Sequence, residues 1–152
     1  MATINATINL ASSDLTSSQL SLSKTMTMHK AGSCNGLELT SGLVTRKFTA
    51  VTEVDLVTTG AQMYGTPTAT TNANKLYIKN TGSSSTSYLS IGMGDATGGE
   101  ELDDGSSKIT LGKLFGGDWM IIPYHGATNV GDVVVKPSTA EETTIEWMLF
   151  FE

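Results

Sequence analysis

A period of two is the strongest constraint on what this chain can fold into. From Thr3 to Leu10, the apolar residues Ile4, Ala6, Ile8 and Leu10 alternate with Thr3, Asn5, Thr7 and Asn9. Successive side chains of an extended strand point to opposite faces, so this run puts every apolar group on one face. Leu20 to Met28 repeats the pattern, with Leu20, Leu22, Met26 and Met28 set against Ser21, Ser23, Thr25 and Thr27. Lys24 falls on the apolar side, which marks an edge, a bulge or a stem that carries its ammonium out to water. Between the two runs, Ala11 to Gln19 is rich in Ser and reads as a connection.

The same period continues through the chain. Leu43 to Val57 holds one or two strands, with Glu53 and Asp55 marking a solvated side, and Gly60 to Asn74 carries no period and reads as a loop. Lys75 to Asn80 is a strand that stops at Thr81-Gly82-Ser83-Ser84-Ser85, and Tyr88 to Met93 returns with Leu89, Ile91 and Met93 on one face. This predicts a hairpin. Further short segments follow at Lys108–Leu114, Trp119–Pro123, Asp132–Lys136 and Thr143–Phe151. In the last, Ile145, Trp147, Leu149 and Phe151 share one face while Met148 and Phe150 occupy the other. A strand apolar on both faces needs cover on both, from a two-layer core or from another subunit.

Ser and Thr fill about a quarter of the positions and only 16% are charged, which leaves few of the residues that build helices. The expected fold is all-β: an antiparallel, jelly-roll-like β-sandwich in a single domain. Residues 1–19 form an extended N-terminal strand or arm with its connection, and residues 20–152 form the sandwich.

Charge and cysteine content exclude several functions. A net charge of -6 and a pI near 4.8, with Lys and Arg scattered singly, give no footprint for nucleic acid. No apolar run approaches the roughly 18–20 residues that cross a bilayer. The first ten residues show neither a basic segment nor a continuous apolar one, so no secretory signal is expected. Cys34 is the only cysteine, which precludes an internal disulfide and fits a reducing cytoplasm.

Candidate chemistry is sparse. Cys34 and His29 are close in sequence, but a nucleophile and base need a third orienting group, and Gly32-Ser33-Cys34-Asn35-Gly36 reads as a turn. His125 has no second ligand at a metal spacing. Gly92-Met93-Gly94 follows a strand like a dinucleotide fingerprint, yet the third glycine, Gly98, comes one residue late and no helix follows to receive a pyrophosphate. The expectation there is a loop that needs positive φ. Asp95, Glu100, Glu101, Asp103 and Asp104, set among glycines, are hard oxygen ligands of the kind calcium takes, although their order fits no EF-hand loop. The alternative is a solvated acidic loop that keeps the protein soluble. Trp119 and Trp147 sit in predicted strands and are expected in the core. No catalytic residue and no cofactor are assigned.

Several segments resemble small virion structural proteins of tailed bacteriophages, particularly marine ones. They are Met1-Ala2-Thr3-Ile4-Asn5-Ala6-Thr7-Ile8, Ser12-Ser13-Asp14-Leu15, Leu20-Ser21-Leu22-Ser23, Leu76-Tyr77-Ile78-Lys79-Asn80, Leu89-Ser90-Ile91, Leu114-Phe115-Gly116-Gly117-Asp118, Ile121-Ile122-Pro123 and Ile145-Glu146-Trp147-Met148-Leu149. The resemblance implies a late-expressed decoration or cement protein on the capsid exterior, assembled in the host cytoplasm. It implies a homo-oligomer, a trimer first, that bridges subunits of the major capsid protein. The expected contacts are Ile4, Ile8 and Leu10 on the arm and Trp147, Leu149 and Phe151 on the last strand. A tail, baseplate or fibre position is the alternative within the virion. A carbohydrate- or calcium-binding sandwich module is the alternative from another class.

Overall fold

The computed structural model describes residues 3–13, 20–29, 36, 39–57, 74–94, 102, 109–124 and 133–151. It is all-β, with eleven strands and no helix among these residues. Strands β1 (Asn5–Ser12) and β2 (Leu20–Thr27) pair antiparallel as a separate two-stranded ribbon. One larger sheet holds β3 (Leu39–Thr40), β4 (Val44–Phe48), β6 (Asn74–Asn80), β9 (Trp119–Tyr124) and β11 (Thr143–Phe151). The other holds β5 (Val54–Val57), β7 (Tyr88–Met93), β8 (Ile109–Phe115) and β10 (Val133–Pro137), in the order β5–β10–β7–β8. β3 and β4 pair with successive stretches of the same edge of β11, so the first sheet reads β3/β4–β11–β6–β9.

The alternation seen in the sequence becomes the inside and outside of these sheets. In β6, Leu76 and Ile78 are buried while Lys75, Tyr77 and Lys79 are half-buried on the other face. They meet Leu89 and Ile91 of β7, Val133 and Val135 of β10, Leu114 of β8, and Ile145, Trp147 and Leu149 of β11 in one core. The two sheets therefore bury their apolar faces against each other in a sandwich-like arrangement. β11 runs between β4 and β6; the second sheet covers its face of Ile145, Trp147 and Leu149, and Phe150 on the other face lines the cavity below the ribbon.

Two expectations are corrected. β6 and β7 do not form a hairpin: β6 belongs to the first sheet and β7 to the second, and Thr81–Ser87 crosses between them. Placing the strands in facing sheets lets Leu76 and Ile78 pack toward Leu89 and Ile91, whereas a hairpin would set them side by side. The arm expected over residues 1–19 is likewise half of a unit, because the ribbon needs β2 as its partner. β2 joins no other sheet among the described residues.

Asn80 anchors the crossing. Its side chain is almost fully buried, donates from Nδ2 to the Leu114 carbonyl at 3.0 Å and accepts at Oδ1 from the Gly82 N–H at 2.9 Å. Its backbone also pairs with Asp118 and Gly117 in the turn from β8 to β9, each at 2.9 Å. Gly116 in that turn lies so close to residues 82–84 that a Cβ would stand 2.7 Å from the Gly82 carbonyl oxygen. The corner thus ties together both sheets.

Among the described residues, Leu102 covers the outer face of the second sheet. Leu102 is fully buried; its N–H donates to Glu53 Oε2 at 2.7 Å, and its carbonyl accepts from Lys136 Nζ at 3.2 Å. It packs on Gly92, where a Cβ would come within 2.2 Å of Leu102 Cδ2. Gly92 is therefore a close-approach glycine in a strand, not part of a phosphate cradle. Gly94 has φ 143°, the positive φ expected of the loop that follows.

Candidate functional site

The ribbon has a polar face and an apolar face, and both follow from its register. Asn5 pairs with Thr27 and Thr7 with Thr25, and their side chains bond across the strands at 3.0 and 2.9 Å. Such cross-strand contacts on an exposed face hold a two-stranded unit that would be marginal alone. On the other face Ala6 stands opposite Met26, Ile8 opposite Lys24 and Leu10 opposite Leu22. Lys24 is thus a cation inside an apolar row, and it is exposed to water.

Among the described residues only the base of the ribbon is anchored. Met28 donates its N–H to the Ile4 carbonyl at 2.8 Å and is buried, and Ile4 and Ile8 are half-buried. Toward the other end, Leu10 is 50% and Leu22 46% exposed. Burying a large aliphatic side chain contributes about 1.5–3 kcal/mol, so each of these forfeits about 1 kcal/mol in the isolated chain.

Facing the base of the ribbon is the outer surface of the first sheet. The register sets Ile121 and Met148 on either side of Tyr77, and Trp119 and Glu146 on either side of Lys79. Tyr77 donates its hydroxyl to Glu146 Oε1 at 2.9 Å, and Lys79 Nζ lies 3.8 Å from the same oxygen. Burial, and then the hydrogen bond and charge of Glu146, push the Tyr77 hydroxyl up to a pKa of about 12. Between ribbon and sheet lies an open cavity of about 790 Å³, bounded by Ile4, Ile8 and Met26 on one side and by Tyr77, Trp119 and Phe150 on the other. Leu10 and Leu22 line no part of it.

A second apolar area adjoins the first. Among the described residues β8 and β9 are the terminal strands of the two sheets, and a short turn at Gly116–Asp118 joins them. Ile109, Leu111 and Phe115 of β8 are exposed, and the exposed Trp119 and Ile121 of β9 belong to the face that lines the ribbon cavity. The Phe115 ring meets Tyr88 at 5.3 Å between centroids, and Lys113 Nζ stands 4.4 Å from the Tyr88 centroid, leaving Phe115 still partly open.

A smaller cavity of about 350 Å³ is polar and lies beside Asn80, between residues 81–87 and 141–144. Ser87 Oγ donates to Glu141 Oε2 at 2.7 Å and accepts from Thr139 Oγ1 at 3.2 Å, which closes a local network. Among the described residues no group of three or more metal-ligating side chains converges.

The sequence-derived candidates fall into three groups. Ile4, Ile8 and Leu10 share the apolar ribbon face, as their alternation implied. Trp147 and Leu149 are 3% and 1% exposed in the chain's own core, so they have no surface left for a partner; this corrects the expectation of contacts there. β11 is covered on its inner face by the facing sheet, which the sequence left open. Phe151 pairs through its backbone with Leu39, and its side chain lies outside the described residues. So do Cys34, His125, Asp95, Glu100, Glu101, Asp103 and Asp104. The exposed Ile109, Leu111 and Phe115 of β8 went unpredicted, and Trp119, expected in the core, is 54% exposed. Pro123 was the available signal, since proline inside a strand marks an edge.

Comparison with protein-family models, with curated proteins and with solved structures finds no match to this chain.

Proposed function

We propose that the chain is a non-enzymatic structural protein of a phage virion, which decorates and reinforces the head shell by bridging major capsid subunits as a homo-oligomer. One observation carries this reading: a two-stranded ribbon forms its own sheet, with an apolar face that the described residues cover only at the base. A soluble chain keeps such a face where a protein partner covers it. The resemblance to small virion proteins supplies the identity of that partner, and the exposed Ile109, Leu111 and Phe115 of β8 add apolar surface of the same character.

The strand order supports a jelly-roll reading of the sandwich. With β3 and β4 counted as one interrupted strand, each sheet has four positions, and the chain changes sheet at every connection from β4 to β11 except β7 to β8. Two Greek keys wrapped around one core have this order. Shell binding then follows from surface burial: the ribbon reaches to a neighbouring subunit and the sandwich acts as a rigid base. Copies on a symmetric shell strengthen one another when each spans two sites.

The test uses heads assembled without this protein. The full chain is expected to co-sediment with them in hundreds of copies, an order of magnitude set by shell symmetry. A chain lacking residues 2–29, which removes the whole ribbon and leaves no unpaired β2, is expected to fold and to stay in the supernatant. Binding in a few dozen copies at the tail would move the protein to a tail, baseplate or fibre position. Undiminished binding without the ribbon would overturn the mechanism.

A further inference from the structure

We infer that the cavity between the base of the ribbon and the first sheet binds a small amphipathic anion, an apolar chain or ring that ends in a carboxylate or a group of like charge. The site lies at the base of the ribbon, away from Leu10 and Leu22, and it holds whether or not the protein sits on a virion.

Size and lining come first. At about 790 Å³ the cavity falls within the range of small-molecule sites, roughly 300–1,000 Å³, which are mostly apolar with a few placed polar groups. Ile4, Ala6 and Ile8 give it an aliphatic side on the ribbon, and Tyr77, Trp119 and Phe150 give it an aromatic side on the sheet. Trp119 is 54% and Ile121 40% exposed although both line the cavity, so the two layers leave room between them.

Charge narrows the occupant. The chain carries a net charge of -6, yet Lys75, Lys79 and His29 line this cavity and no carboxylate does among the described residues. Lys79 Nζ stands 3.8 Å from Glu146, whereas Lys75 has no ion pair among the described residues. A half-buried ammonium beside apolar surface is matched by an anion that brings its own apolar body.

The order of groups along β6 then sets the pose. The register places Lys75 between Pro123 and Phe150, Tyr77 between Ile121 and Met148, and Lys79 between Trp119 and Glu146. With a rise of about 3.3 Å per residue, the Lys75 and Lys79 positions are about 13 Å apart. An anion held by Lys75 lays its body over Tyr77 and Ile121 toward Trp119, with Ile4 and Ile8 on the opposite wall. A sugar would need several converging polar groups, and the Tyr77 hydroxyl hydrogen is already given to Glu146.

The experiment titrates the full chain with octanoate and with octanol, its neutral counterpart. Trp147 is 3% exposed, so quenching by acrylamide reports Trp119. Octanoate should protect Trp119 from the quencher and shift its emission to the blue. It should bind at least about tenfold more tightly than octanol, the effect of one charge-assisted hydrogen bond. Lys75→Gln should abolish that preference and leave octanol binding unchanged. Lys79→Gln should keep most of it, because that ammonium already faces Glu146.

Failure of wild type to bind either probe overturns the inference. So does equal affinity for the two probes, or a preference for octanoate that survives Lys75→Gln. The comparison of octanoate with octanol needs no variant, so it decides the matter even if Lys75→Gln folds poorly. None of these results bears on head attachment, which co-sedimentation reads separately.

Discussion

Replacing Asn80 by Ala removes a side chain that ties the β6–β7 crossing to the end of β8. The Leu114 carbonyl loses its donor and the Gly82 N–H loses its acceptor, at a corner where Leu114 is buried and Gly82 half-buried. An orphaned buried polar group costs about 1–3 kcal/mol, and water reaches Gly82 in part, so the variant should lose about 3 kcal/mol. For a domain of this size that lowers Tm by roughly 6–12 °C. Asn80→Asp separates the two bonds: the carboxylate still accepts from Gly82 but faces the Leu114 carbonyl, which raises its folded pKa above the unfolded value. Stability of that variant should be fullest below about pH 3.9 and fall as pH rises through the raised folded value, while Asn80→Ala shows no such dependence across that window. Urea unfolding at several pH values measures both. A loss under about 1 kcal/mol for Asn80→Ala at unchanged urea slope would show that the backbone bonds to Asp118 and Gly117 hold the corner unaided.

Other outcomes test separate parts of the structure. Leu102→Ala should cost about 2–5 kcal/mol by chemical unfolding, as a fully buried leucine does, although its neighbours in sequence are acidic. Gly92→Ala should cost about 1–3 kcal/mol through overpacking, and the two changes combined should cost less than their sum because Leu102 is the side chain the new methyl meets. In an absorbance titration the Tyr77 step should lie near pH 12, and Tyr77→Phe should remove it. Glu146→Gln should lower it only in part, since burial is the larger cause. The stability that this raised pKa contributes is full below the unfolded value near 10 and is lost as pH rises toward 12.

The strands were legible because a half-buried strand needs alternation, and β1, β2, β6, β7 and β11 show it plainly. Pairing was harder to read. A hairpin and a crossing between facing sheets both appear as two strands around a turn-rich tract, so Thr81–Ser87 gave no hint that β6 and β7 part company. Strands apolar on both sides were equally ambiguous. In β11 the sequence could not choose between core and interface for Trp147, and the second sheet packed over that face decides it. In β9 Met120 and Ile122 turn inward while Trp119 and Ile121 turn outward, a choice set by the facing sheet rather than by the residues themselves. Leu102 was hidden in a stretch whose charges read as solvated. The ribbon face of Ile4, Ile8 and Leu10 was readable in full, but its partner strand was assigned to the sandwich because its alternation is the same as that of any strand.

The central proposal is that the ribbon, not the sandwich, attaches this protein to its assembly. Co-sedimentation with heads lacking the protein, comparing wild type with Leu10→Asp, Leu22→Asp, tests it most directly, with Tm measured alongside. The account predicts saturating attachment for wild type, at least a tenfold loss of affinity for the variant, and Tm values within a few degrees of each other. Equal affinity for the two proteins would contradict it.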